Sequence, residues 1–165
     1  MKKILFLFLI ATTILNVQAQ LKTTSVCPPF TVDLLKGKVN SEIMTTSTVN
    51  QIKQKFPCFT SAENESDSAK CGGGVFFKDK DIYFYTSRDY IEVGPNFKGS
   101  LSIPLMGASR NALFKWLGNP KIKDPNWDAF QTEYGILILY YNSKTSKVNK
   151  IQFSVKGSNN IQLCE

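Results

Sequence analysis

The same series of signals occurs twice along this chain, and that repetition limits the folds open to it. In the first pass, Thr46 or Ser47 can cap a helix in which Val49, Ile52 and Phe56 share one face, and Pro57 stops it. Three strand-like runs follow, Val75–Lys78, Ile82–Thr86 and Tyr90–Val93, separated by Asp79-Lys80 and Ser87-Arg88-Asp89 and ended by Gly94-Pro95. In the second pass, Ser109 can cap a helix whose inner stripe is Leu113, Trp116 and Leu117, and Gly118 and Pro120 stop it. The runs Phe130–Tyr134, Ile136–Tyr141 and Val148–Val155 come next, and Ile161–Cys164 suits a short edge strand. Side by side, Ile52 and Phe56 align with Leu113 and Leu117, and Ile82 and Phe84 with Ile136 and Ile138.

One short helix over one small sheet buries too little to be stable alone, whereas two such units packed together suffice. The expected class is therefore α+β, two tandem helix-plus-antiparallel-meander units able to share one continuous sheet. The expected divisions are a signal peptide over 1–19, an extended N-terminal segment over 20–42, a first unit over 43–104 and a second over 105–165.

Residues 1–19 have the layout of a removable secretory signal. Lys2 and Lys3 precede an apolar run from Ile4 to Leu15, and Val17-Gln18-Ala19 offers small residues for cleavage. The run covers 12 residues, against about 20 for a membrane span. The chain is thus expected to be secreted or periplasmic, with no lipid-attachment cysteine at the cleavage point and no transmembrane segment in its mature form. Without Lys2 and Lys3 the charge is 18 basic against 13 acidic residues, or +5. The lysines are scattered rather than striped, which argues against nucleic acid and fits a partner with an acidic or mixed surface.

Cys27, Cys58, Cys71 and Cys164 form an even set in an exported chain, so two disulfides are expected. Three pairings are open. The favoured one joins Cys58 with Cys71, closing a polar loop, and Cys27 with Cys164, fastening the two ends.

The chain contains no histidine. This removes Ser-His and Cys-His nucleophile pairs and most zinc and haem sites, and neither a CxxC nor a phosphate-binding glycine motif is present. Asp79, Asp81, Asp89 and Glu92 cluster near the first hairpins, where Asp has a backbone reason to be. No catalytic residue, metal or cofactor is expected; a small hydrolase working without histidine is the enzymatic alternative.

The segment Ala112-Leu113, Trp116-Leu117-Gly118-Asn119-Pro120, Trp127, Phe130, Tyr134-Gly135-Ile136-Leu137-Ile138, Lys147-Val148 and Ile151 resembles a known signature. It is similar to the β-lactamase-inhibitor-protein-like and SmpA/BamE-like group of exported bacterial domains. There a helix ends in a Leu-Gly-x-Pro-type stop, an aromatic opens the first strand, a glycine turn leads to an apolar strand, and a Lys-Val pair opens the next. The likeness spans 108–155; over 46–93, Phe56-Pro57 replaces the stop and Asp81 stands at the glycine position. The resemblance implies a non-enzymatic module that binds proteins, as an inhibitor or as a part of envelope assembly.

Strand alternation sorts the first meander into an apolar face, Val75, Phe77, Ile82, Phe84, Ile91 and Val93, and a mixed one, Phe76, Lys78, Tyr83, Tyr85, Tyr90 and Glu92. Aromatic rings with polar tips suit protein interfaces. The candidate binding residues are Phe76, Tyr83, Tyr85 and Tyr90, with Trp127 and Tyr141 from the second unit. Trp116 is expected in the core. Asp67-Ser68-Ala69 resembles an acceptor tripeptide for O-glycosylation of exported bacterial proteins, which makes Ser68 a candidate modification site.

Overall fold

The computed structural model describes residues 25–160; the expected signal peptide and Cys164, with its edge strand, lie outside them. Pro28-Pro29 leads into β1 (Phe30–Asp33), where Phe30 and Val32 point inward. The Asp33 carboxylate accepts from the amides of Leu35 and Lys36 and turns the chain into β2 (Lys38–Val39), followed by β3 (Ile43–Met44). β1 and β2 lie in the expected extended segment 20–42, whereas β3 falls at the start of the expected first unit. They form a small sheet in the order β3-β2-β1-β8, in which β8 (Gly99–Leu101) runs parallel to β1.

Helix α1 spans Val49–Lys55, and its cap is Thr48 rather than Thr46 or Ser47. Thr48 and Gln51 satisfy each other's backbone amides in a capping box, which fixes the start. Four antiparallel strands follow: β4 (Ser61–Glu63), β5 (Gly74–Phe77), β6 (Ile82–Tyr85) and β7 (Tyr90–Val93). Helix α2 spans Arg110–Leu117 and ends at Gly118, whose φ of 68° and ψ of −151° suit glycine alone. It leads to β9 (Ile122–Lys123), β10 (Trp127–Gln131), β11 (Ile136–Tyr141) and β12 (Val148–Ser154).

The two meanders join through their last strands, giving one eight-stranded sheet in the order β4-β5-β6-β7-β12-β11-β10-β9. Glu92 pairs with Gln152 at the seam. A two-fold rotation about that pair carries every registered pair of β4–β7 except Glu63 with Gly74 onto one of β9–β12. Tyr83 with Glu92 becomes Ile138 with Gln152, Phe76 with Tyr83 becomes Ala129 with Ile138, and Ser61 with Phe76 becomes Ile122 with Ala129. The helices keep the expected match of Ile52 with Leu113. The strands do not keep theirs: Ile82 and Phe84 correspond to Leu137 and Leu139, not to Ile136 and Ile138. A one-residue shift in a strand exchanges faces, and Ile136 and Ile138 point away from the main core.

Both helices and the small sheet contribute to one core on the same face of the large sheet. Phe30, Phe56 and Phe77 meet there with ring centroids 4.6 to 5.9 Å apart. Tyr134 binds the small sheet to the second unit by donating its hydroxyl to the Leu34 carbonyl at 3.1 Å. The sequence expectation for Trp116 fails: it is 49% exposed, because Leu113 and Leu117 alone face the core.

The disulfide pairing also differs. Cys27 is bonded to Cys58, with Cα atoms 5.4 Å apart, so neither Cys58–Cys71 nor Cys27–Cys164 forms. The bond fastens the approach to β1 onto the residues that follow α1. No described cysteine is free, as an oxidising compartment favours. No helix among the described residues is long and apolar enough to cross a membrane.

Candidate functional site

The reverse face of the large sheet carries the rings that strand alternation assigned to it. Phe76 from β5, Tyr83 and Tyr85 from β6 and Tyr90 from β7 form a connected row. Phe76 lies 6.2 Å from Tyr83 and 5.3 Å from Tyr85, and Tyr85 stacks on Tyr90 at 4.5 Å. Phe76 and Tyr90 are buried beneath their neighbours, whereas Tyr83 and Tyr85 are half-buried. The row is therefore an inner pair supporting an outer pair.

Trp127 lies on this face too, against Ala129, Ile136 and Ile138. Tyr141 does not. It follows an irregularity in register between Tyr140 and Tyr141 and turns into the core, where its hydroxyl donates to Asp128 Oδ2 at 2.6 Å. Tyr140 takes the place expected of Tyr141. It corresponds across the two-fold to Tyr85, and Lys150 corresponds to Tyr90. The Tyr85–Tyr90 stack of the first unit is thus replaced by Lys150 lying 4.1 Å above the Tyr140 ring. Alternation from Ile136 places Tyr140 on this face, and strand register is the signal that distinguishes the two tyrosines.

A polar network occupies the seam between the two ring groups. Gln152 Nε2 donates to Glu92 Oε2 at 2.6 Å and Gln152 Oε1 accepts from the Tyr140 hydroxyl at 2.9 Å, while Lys150 lies 3.6 Å from Glu92. Burial, then the nearby Glu92 charge, pushes the Tyr85 phenol well above its ordinary value; burial, then Tyr85, does the same for Tyr90. Tyr83 is raised by burial and by its hydrogen bond to Asp81. All three phenols stay protonated near neutral pH, and the proton of Tyr83 is donated to Asp81. The buried Tyr90 hydroxyl has no hydrogen-bond partner among the described residues.

The four carboxylates near the hairpins have separate structural roles. Asp79 pairs with Lys80, Asp89 with Lys156 and Glu92 with Lys150, and Asp81 accepts from the Asn96 amide. Ser68 lies exposed in the loop between β4 and β5, with its hydroxyl 3.0 Å from that of Ser66. A second charged group was missed by sequence reasoning. Arg110, the first residue of α2, donates from Nε to Asp128 at 2.8 Å, contacts its other oxygen through Nη2, and lies 4.8 Å from the Tyr141 ring. The hydrogen bond to Asp128 raises the Arg110 pKa further above its already high value.

No family model, no curated protein and no solved structure matches this chain.

Proposed function

We propose that the chain is an exported protein-binding module with no catalysis of its own, which inhibits or neutralises an envelope or secreted enzyme through the reverse face of its large sheet. The carrying observation is the ring arrangement: Tyr83 and Tyr85 present apolar bodies with polar tips, and buried Phe76 and Tyr90 hold them in place. Side chains already immobilised lose little entropy on binding, so they suit the centre of an interface. The flanking Glu92, Lys150 and Gln152 network fits a partner of mixed charge. The oxidised Cys27–Cys58 pair supports a periplasmic or secreted setting.

The test is capture from envelope extract on immobilised mature protein, with a Tyr83→Ala/Tyr85→Ala variant in parallel. A soluble enzyme should be retained and lose activity in proportion to added protein, and the variant should bind at least about tenfold more weakly while staying folded. Retention of a membrane-assembly complex would favour an envelope scaffold instead. Equal capture by the folded variant would remove the face from the proposal, and substrate turnover by the purified chain would remove the proposal itself.

A further inference from the structure

The turn Thr86–Arg88 joins β6 to β7, so it separates Tyr85 from Tyr90, the two rings that pair across those strands and stack at 4.5 Å. Strand β12 ends beside this turn. Ser154 donates its hydroxyl to the Asp89 carbonyl at 2.7 Å, and Lys156 Nζ lies 3.2 Å from the Asp89 carboxylate. The chain therefore leaves the sheet on the β12 flank of the turn.

Cys71 stands on the opposite flank. It is buried in the turn Lys70–Gly72 that precedes β5. A Cβ on Gly72 would collide with Ser87 Oγ, so the two turns touch. Cys71 is disulfide-bonded, and Cys27 and Cys58 are joined to each other. Of the four cysteines in the sequence, this leaves Cys164 as its partner. The strand order β5-β6-β7-β12 puts three strand spacings, about 14 Å, between the two flanks. The steps from Lys156 to Cys164 can extend over about 26 Å. That reach suffices, and the direct route crosses Thr86–Arg88.

We infer that residues 157–164 form a strap across the turn Thr86–Arg88, closed by a Cys71–Cys164 disulfide, which holds Tyr85 and Tyr90 together. Ile161 and Leu163, two residues apart, share one side of an extended segment and face the turn. Closure forms one S–S bond: both thiols give up their protons, and two electrons pass to a disulfide oxidant, which leaves as a dithiol. The consequence for partner binding rests on the reading of the ring row as the contact face. The strap does not rest on that reading, and its test reads the strap alone.

Non-reducing peptide mapping of the mature protein should recover Cys71 joined to Cys164 within one chain. Nuclear Overhauser contacts should link the methyl groups of Ile161 and Leu163 to Thr86–Arg88. Two variants open the strap: Cys71→Ser/Cys164→Ser, and a Cys71→Ser chain ending at Asn160. In both, the Tyr85–Tyr90 ring contact should weaken, and the amides of 86–90 should exchange about tenfold faster or more. The Phe30–Phe56 and Tyr134–Phe153 ring contacts, at 4.6 and 6.3 Å, should persist as the control for folding. Cys71 linked to another chain, Ile161 and Leu163 in contact with a different surface, or an unchanged Tyr85–Tyr90 contact in the folded variants would overturn the proposal.

Discussion

Partly exposed Arg110 on α2 and buried Asp128 on β10 form an ion pair at the positions that the first unit fills with Val49 on α1 and Val75 on β5. The same architecture thus accepts two solutions at one place, one apolar and one ionic. The ionic one is closed by Tyr141, whose hydroxyl completes the Asp128 shell and whose ring faces the guanidinium.

Breaking this pair from one side should be costly. Asp128→Ala removes the acceptor of the Tyr141 hydroxyl and of Arg110 Nε, while Arg110 keeps the Asp124 carbonyl and partial contact with water, and should lower unfolding stability by about 2 kcal/mol. Replacing the whole group, Arg110→Val with Asp128→Val and Tyr141→Phe, imports the first unit's solution and should recover most of that loss. Urea denaturation of the two variants checks this: a triple variant as unstable as Asp128→Ala would contradict the equivalence of the two sites.

The disulfide is equally testable. Peptide mapping under non-reducing conditions should recover Cys27 joined to Cys58. The remaining cysteines of the sequence, Cys71 and Cys164, are then expected as the other linked pair. Cys27→Ser/Cys58→Ser should cost about 3–4 kcal/mol by the chain-entropy argument, given a separation of 31 residues. Recovery of a Cys58–Cys71 peptide would refute this pairing.

Stability should fall in alkali. Burial raises the phenols of Tyr85, Tyr90, Tyr134 and Tyr141 above the value of about 10 they have in an unfolded chain. Above that pH the unfolded state releases protons that the folded state retains, so unfolding becomes easier. The contribution is complete below pH 10 and is lost as pH rises toward the folded values. Denaturation midpoints measured between pH 8 and 11.5 should drop beyond about pH 10, and Tyr134→Phe should make the drop shallower. A midpoint that stays level to pH 11.5 would contradict the burial of these hydroxyls.

The repeated helix-then-meander order was legible in the sequence because it rests on contacts between near neighbours. Ile52 and Phe56 fall on one helical stripe, Pro57 ends a helix by its backbone restriction and Gly118 by its freedom to take a positive φ, and Val75, Phe77, Ile82 and Phe84 alternate as a half-buried strand must. The same alternation placed Phe76, Tyr83, Tyr85 and Tyr90 together on one face. Three strands of the small sheet were not legible, since pieces as short as Lys38–Val39 and Ile43–Met44 carry no periodicity of their own.

What the sequence by itself determined, then, is the order of elements, the inward stripe of each, and the ring row of the first meander, all consequences of spacing along the chain. Tertiary structure alone decided that β7 and β12 form the seam, that Cys27 meets Cys58, and that Trp116 stays in solvent. Those outcomes depend on which distant segments pack together. In a strand, a single residue of register moves a side chain from one face to the other, and no local pattern carries that information.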